Sequence, residues 1–257
     1  MTPTARAACA VEDGGALVRI RFEGPKGNLL DATLTAALTA AFREAAGAKE
    51  ARAVLLEAGG ADFGFGASVA EHRPAEAPAM LVRFRALLAA MHAVERPIVV
   101  AVRGRCFGGA LELALFCHRV VAAPDATFAS PEPAVGAFAP VASLLLSERV
   151  PRGLAEEVLL GGRRLTGDEA ARAGLVEAVA DDPSAAALAW ARERLTPLSA
   201  SVLGVATAAA RAAFAERFFA DLEALERLYA ERLLPLADAA EGPEAFLAKR
   251  APRWTHR

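Results

Sequence analysis

The chain has 257 residues, 54% hydrophobic and 23% charged, with a net charge of −2. That suits one or two domains with a full core, and it leaves no basic footprint for nucleic acid. Its three cysteines, Cys9, Cys106 and Cys117, form neither a disulfide framework nor a metal-ligand spacing. No basic segment followed by an apolar core opens the sequence, and no stretch is long enough to span a membrane without a charge or proline. A soluble, cytoplasmic protein is expected.

Residues 1–14 read as an irregular lead-in. Residues 16–22 alternate apolar and basic, the period of a half-exposed strand. Residues 24–28 read as a loop, and Asp31 as the N-cap of a helix to about residue 46. A strand is expected over 53–57, then a Gly-rich turn over 59–68 and a helix over 78–95. Residues 97–102 are an apolar strand. Gly104 turns the chain, and Gly108-Gly109 opens a helix over 110–117. A strand over 119–123 and a loop through Ser130-Pro131-Glu132 follow. Alternating strands and helices argue an α/β fold with much parallel pairing. Beyond Pro140 the sequence reads as helices: 141–150, 154–160, 167–173, 185–195, 198–234 and 243–250. No repeat or linker interrupts it.

The Gly108-Gly109 turn is the centre of the chemistry. Glycine lets the backbone approach a ligand closely. The first N–H groups of a helix lack intrahelical partners and lie at its positive end. Such a turn can hold negative charge on an oxygen, or can simply be a tight turn. Glu112 sits in a helix that is apolar nearly all round. A carboxylate there pairs with a base, Arg105 or Arg119, or faces a cavity. Glu132 lies between two prolines in an otherwise uncharged loop. Two acids beside an anion-stabilising turn form a general acid/base constellation.

The earlier Gly-rich turn has three readings. Gly64-Phe65-Gly66 is a fragment of a dinucleotide fingerprint without its third glycine. Gly66-Ala67-Ser68-Val69-Ala70 is a nucleophile elbow without its last glycine, and no spacing selects His72, His92 or His118 as base for Ser68. The third reading places a second N–H donor at Ala67, opposite Gly109, as in an oxyanion hole. His72 and His118 otherwise read as surface or structural histidines, and no metal motif is present.

Three segments, Phe63-Gly64-Phe65-Gly66-Ala67, Gly104-Arg105-Cys106-Phe107-Gly108-Gly109-Ala110-Leu111-Glu112-Leu113-Ala114 and Ser130-Pro131-Glu132, resemble the signature blocks of the enoyl-CoA hydratase/isomerase (crotonase) superfamily. The ending Gly242-Pro243-Glu244-Ala245-Phe246-Leu247-Ala248-Lys249-Arg250 is similar to the family's closing helix. The resemblance implies a ClpP/crotonase-like α/β spiral of β-β-α units over 1–195. It implies a C-terminal helical trimerisation region over 196–257. It also implies an acyl-CoA thioester substrate, an oxyanion hole at the N–H groups of Ala67 and Gly109, and catalytic acids at Glu112 and Glu132. In that scheme Glu112, as carboxylate, activates water, and Glu132, protonated, delivers the proton. No cofactor or metal is expected, because coenzyme A is part of the substrate.

A narrower resemblance is to the family's hydratases of cyclic dienoyl-CoA thioesters, which serve aromatic degradation. It rests on the segments 65–72, 106–109, 115–119 and 138–143. The common hydratases have an acid where Ser68 stands and a Gly-rich turn where Ala139-Pro140-Val141-Ala142 stands; against the cyclic-dienoyl pattern itself, Ser130 replaces a more usual Gln and Ala110 a third Gly. Water would add in a 1,4 sense, with the proton going to the far end of a dienolate. Other possible roles are hydration or isomerisation of a linear enoyl-CoA and a non-enzymatic trimeric scaffold. Lys26 and Lys249 are candidate phosphate partners, and Phe65, Ser68, Phe84 and Phe138 candidate pocket residues. A homotrimer or dimer of trimers is the family expectation.

Overall fold

The computed structural model describes residues 5–257. Residues 1–4 of the expected lead-in lie outside them. Most of the rest of that segment is strand β1 (Arg6–Glu12), paired antiparallel with β2 (Leu17–Glu23). This corrects the sequence reading. The inward residues of β1, Ala7 and Cys9, are only partly buried against the core, and the outward Ala8 and Ala10 are apolar too, so this edge strand carries no hydrophobic alternation to read.

The loop expected over 24–28 closes as a single turn, α1 (Pro25–Asn28), in which Lys26, Gly27 and Asn28 take positive φ. The buried Asn28 side chain accepts from Gly24 N at 2.8 Å and donates to Gly59 O and Asp62 O at 2.9 and 2.8 Å. It staples this turn to the Gly-rich turn that leads to Ala67. Asp31 caps α2 (Ala32–Gly47) as expected, accepting from Leu34 N at 2.9 Å.

The chain continues through β3 (Ala53–Ala58), α3 (Ala77–His92), β4 (Ile98–Val102), β5 (Arg105–Phe107), α4 (Gly109–Phe116), β6 (Arg119–Ala122) and β7 (Thr127–Ala129). Then come α5 (Pro140–Arg149), α6 (Arg152–Gly161), β8 (Leu165–Thr166), α7 (Gly167–Ala173), β9 (Ala178–Val179), α8 (Pro183–Arg194), α9 (Ala200–Leu228) and α10 (Ala237–Leu247). Six strands form one sheet in the order β1-β2-β3-β4-β6-β9, parallel from β2 onward. A second sheet has the order β5-β7-β8. Its strands β5 and β7 each follow a strand of the first sheet and β8 follows helix α6, which gives the α/β character expected.

Every residue of β4 is buried, as an inner parallel strand covered on both faces requires. Phe218 and Leu222 of α9 join the main core, so this long helix is packed on the α/β layers. Tyr229–Leu233 continue it as one π-helical turn, wider than the uninterrupted helix expected to 234. The last helix begins before Pro243 and ends before Arg250, another departure from expectation. Gly242-Pro243 reads as a helix start in sequence. Here Gly242 packs without room for a Cβ against the backbone of Val135, and the helix runs through.

Candidate active site

The second sheet brings two distant glycine turns together. Gly64 N donates to Arg105 O at 2.9 Å and Phe107 N to Gly64 O at 3.0 Å. Residues 64–67 thus run beside β5. Gly66 has φ +84, and a Cβ there would sit 2.8 Å from Phe107 O and 3.0 Å from Gly109 N. Only glycine permits that approach. Gly108 has φ +53, and a Cβ on it would meet Oε1 of Glu132.

Gly108 N donates to Ala129 O at 2.9 Å, but neither Ala67 N nor Gly109 N donates to any acceptor among the described residues. Ala67 and Gly109 line one cavity, with Glu112, Glu132, Phe84, Phe138 and Tyr229 on its other walls. Two unpartnered amides, one at the first position of α4, therefore open onto the same chamber as two acids. That arrangement can stabilise charge developing on an oxygen.

Glu112 projects from the wholly buried helix α4. No arginine reaches it. Arg105 pairs with Asp62 at 2.8 Å, and the Arg119 guanidinium lies 4.6 Å over the Trp190 ring. Oε1 of Glu112 instead accepts from Val141 N at 2.7 Å and Ala142 N at 3.0 Å. Those amides belong to the first turn of α5, whose N-cap residue Ala139 supplies no side chain. The carboxyl of one helix caps another. Oε2 has no protein partner among the described residues and is left to the cavity.

Glu132 opens a 3-10 turn, Glu132–Val135. Its Oε2 accepts from the buried Ser130 hydroxyl at 2.7 Å. Burial, then the charge on Glu132, push Glu112 up to about 8, against the two amides. Burial also raises Glu132, against the Ser130 hydroxyl. Two amide donors favour charge on Glu112, the Ser130 hydroxyl and a backbone amide favour it on Glu132, and the charge on one acid opposes charge on the other, so the pair holds one charge more readily than two.

A second, largely apolar groove of about 1410 Å³ meets the chamber. Lys26, Phe65 and Ser68 line it, with Phe246 and Leu247 of α10. The ring of Phe65 lies beneath the Arg105 guanidinium at 4.4 Å. Lys249, with φ +52, is exposed and lines neither space, unlike the other residues expected at the site. Phe138 packs on Tyr229 with ring centroids 5.0 Å apart.

Two site residues had no legible signal. Tyr229 lies almost a hundred positions beyond Glu132 in sequence. Its phenol is raised by burial and then by the charges of Glu132 and Glu112. His72 is buried and hydrogen-bonded, the structural of its two expected readings, and it lines both spaces. Its Nδ1 lies 2.9 Å from the carbonyl of Ser68, not from its hydroxyl, so no Ser–His relay forms. No three His, Cys, Asp or Glu side chains among the described residues are grouped to hold a metal.

The profile of the Enoyl-CoA hydratase/isomerase family matches residues 12–257. A cyclohexa-1,5-dienecarbonyl-CoA hydratase from Thauera aromatica is 45% identical over 247 residues, 96% of each chain. A carnitinyl-CoA dehydratase from Salmonella typhi is 31% identical, covering 95% of this chain and 96% of its own. The crystal structure of an enoyl-CoA hydratase from Mycobacterium avium superposes with a TM-score of 0.85 at 29% identity, covering 98% of this chain and all of that one.

Proposed function

The chain belongs to the enoyl-CoA hydratase/isomerase family, and we propose that it is a hydro-lyase adding water to a conjugated cyclic dienoyl-CoA, cyclohexa-1,5-diene-1-carbonyl-CoA, to give 6-hydroxycyclohex-1-ene-1-carbonyl-CoA. One observation carries the chemistry: two buried acids and two free amides share one chamber. The 45% identity to the Thauera hydratase supports the cyclic substrate.

The N–H groups of Ala67 and Gly109 receive the thioester oxygen. Ionised Glu112 takes a proton from water through Oε2, and the water oxygen bonds to the β-carbon. The displaced electron pair moves through the ring to the thioester oxygen as a dienolate. Protonated Glu132 then gives its proton to the far carbon of that dienolate. One proton enters the pair and one leaves it, so only a transfer from Glu112 to Glu132 is needed to reset the site. The chain's own contribution is positioning, water exclusion and the separation of the two acids' protonation states.

The outer groove takes the pantetheine arm, with Lys26 at its rim for a phosphate. Phe84 and Phe138 give the chamber aromatic walls against which an acyl ring can pack. Exposed Val202 and Val205 on one face of α9, at 67% and 72% exposure, support assembly as a homotrimer or dimer of trimers.

The protein incubated with the cyclic dienoyl-CoA and with crotonyl-CoA in ¹⁸O-labelled water tests this. Label in a hydroxylated ring product, formed faster than 3-hydroxybutyryl-CoA, is expected. Faster turnover of crotonyl-CoA would favour the second reading, a linear enoyl-CoA hydratase, which the likeness to the Mycobacterium enzyme supports.

A further inference from the structure

Among the described residues, only three line both the chamber and the outer groove: Ala67, His72 and Glu132. They mark the throat where the two spaces meet. Ala67 and Glu132 already have roles there. His72 does not, although it is 8% exposed.

Its geometry fixes its chemistry. Nδ1 lies 2.9 Å from the Ser68 carbonyl, within the turn Val69–His72. A carbonyl oxygen only accepts, so Nδ1 carries the hydrogen and Nε2 carries a lone pair. Burial lowers the imidazole's basicity and keeps it neutral. The nearest acid in sequence, Glu71, is engaged by Arg83 at 2.7 Å and by Ala32 N at 2.9 Å. No protein group among the described residues donates to Nε2, and Nε2 is not one of the fully buried polar atoms left without a partner, so it is open to a donor from water or a ligand.

The substrate offers few. A hydrocarbon ring has none, and a thioester only accepts. The first N–H beyond the thioester sulfur is the cysteamine amide. The other donor is the hydroxyl that the added water becomes. We propose that Nε2 of His72 accepts a hydrogen bond from an N–H or O–H of the bound acyl-CoA at this throat, holding the thioester over the amides of Ala67 and Gly109. This rests on the acyl-CoA reading of the site.

Two ligand pairs test it by calorimetric titration. One is cyclohexanecarbonyl-CoA and the analogue whose cysteamine amide is an ester. The other is the hydroxylated ring acyl-CoA and its deoxy counterpart. Wild-type protein should favour the donor-bearing member of one pair by roughly 3- to 10-fold, the worth of one neutral hydrogen bond. The pair that responds identifies the donor. His72→Leu should erase that preference, and His72→Gln, which keeps an acceptor, should retain part of it. Each ratio compares two ligands on one protein, so a fraction of unfolded variant does not alter it. Wild-type protein indifferent within both pairs, or a His72→Leu ratio equal to the wild-type ratio, would overturn the proposal. Wild-type protein that binds none of the four would overturn the acyl-CoA reading and this inference with it.

Discussion

Glu112 answers to opposed demands. Burial favours its neutral form, and two amides favour its charged form. The proposed reaction needs the charged form. Activity should therefore rise with pH toward about 8, because more of the base is ionised there. Glu112→Gln should lower kcat by about 10²–10⁴-fold and abolish that rise; Glu132→Gln should lower it by about as much, from the acid's side. Measured pH–rate profiles of the three proteins check this, and full activity in either variant rules the mechanism out. The same shift has a cost in stability. A carboxyl raised in the folded state stabilises the fold below its unfolded value, near 4.5, and that contribution is lost as pH climbs through about 8. At pH 8.5 Glu112→Gln should be more stable than wild type, on the order of 1–3 kcal/mol, with no difference at pH 4. Chemical denaturation at both pH values tests the sign.

At the scale of elements, the site is an encounter of termini. The start of α4 supplies the Gly109 amide, and the first turn of α5 receives a carboxyl from α4. Glu112→Ala removes the acceptor of two α5 amides, whereas Glu112→Gln keeps a carbonyl for them. Deuterium exchange at Val141 and Ala142 should quicken about 10- to 100-fold in the alanine variant and stay near wild type in the glutamine variant. Equal exchange in the two variants would mean that α5 holds its first turn without help. Much of this region was legible in sequence, because a lone acid inside an apolar run has few places to go. So was most of the alternation of strands and helices between residues 16 and 123, where hydrophobic period and glycine punctuation agree; the three-residue β5 was hidden inside what reads as the Gly104–Gly109 turn. Strand β1 was not legible, since an edge strand with alanines on its outward face leaves no pattern. The start of α10 was hidden by Gly242-Pro243, which signals a break locally and is overridden by packing on Val135. His72 and Tyr229 escaped for a different reason. Their surroundings come from distant segments, and no local spacing encodes which distant side chains meet.

The whole molecule leaves apolar surface that its own fold does not cover. Val202 and Val205 stand one helical turn apart on α9, and Leu198 just before it is 46% exposed. Scattered apolar residues on a surface need no explanation, but two on one face of a helix with a third just before its start suit an interface. The proposed trimer would cover this face, and the site would gain rigidity through α9, whose Leu222 lines the chamber and whose Phe218 packs in the core. Sedimentation equilibrium should give three or six times the 26.7 kDa of one chain. The double substitution Val202→Asp, Val205→Asp puts two like charges into that contact, where desolvation and repulsion both oppose assembly. It should shift the mass toward a single chain. Because these residues lie outside the chamber and the groove, any loss of activity should track dissociation and diminish as protein concentration restores the assembly. An unchanged mass in the double variant would put the subunit contact on another face of the chain.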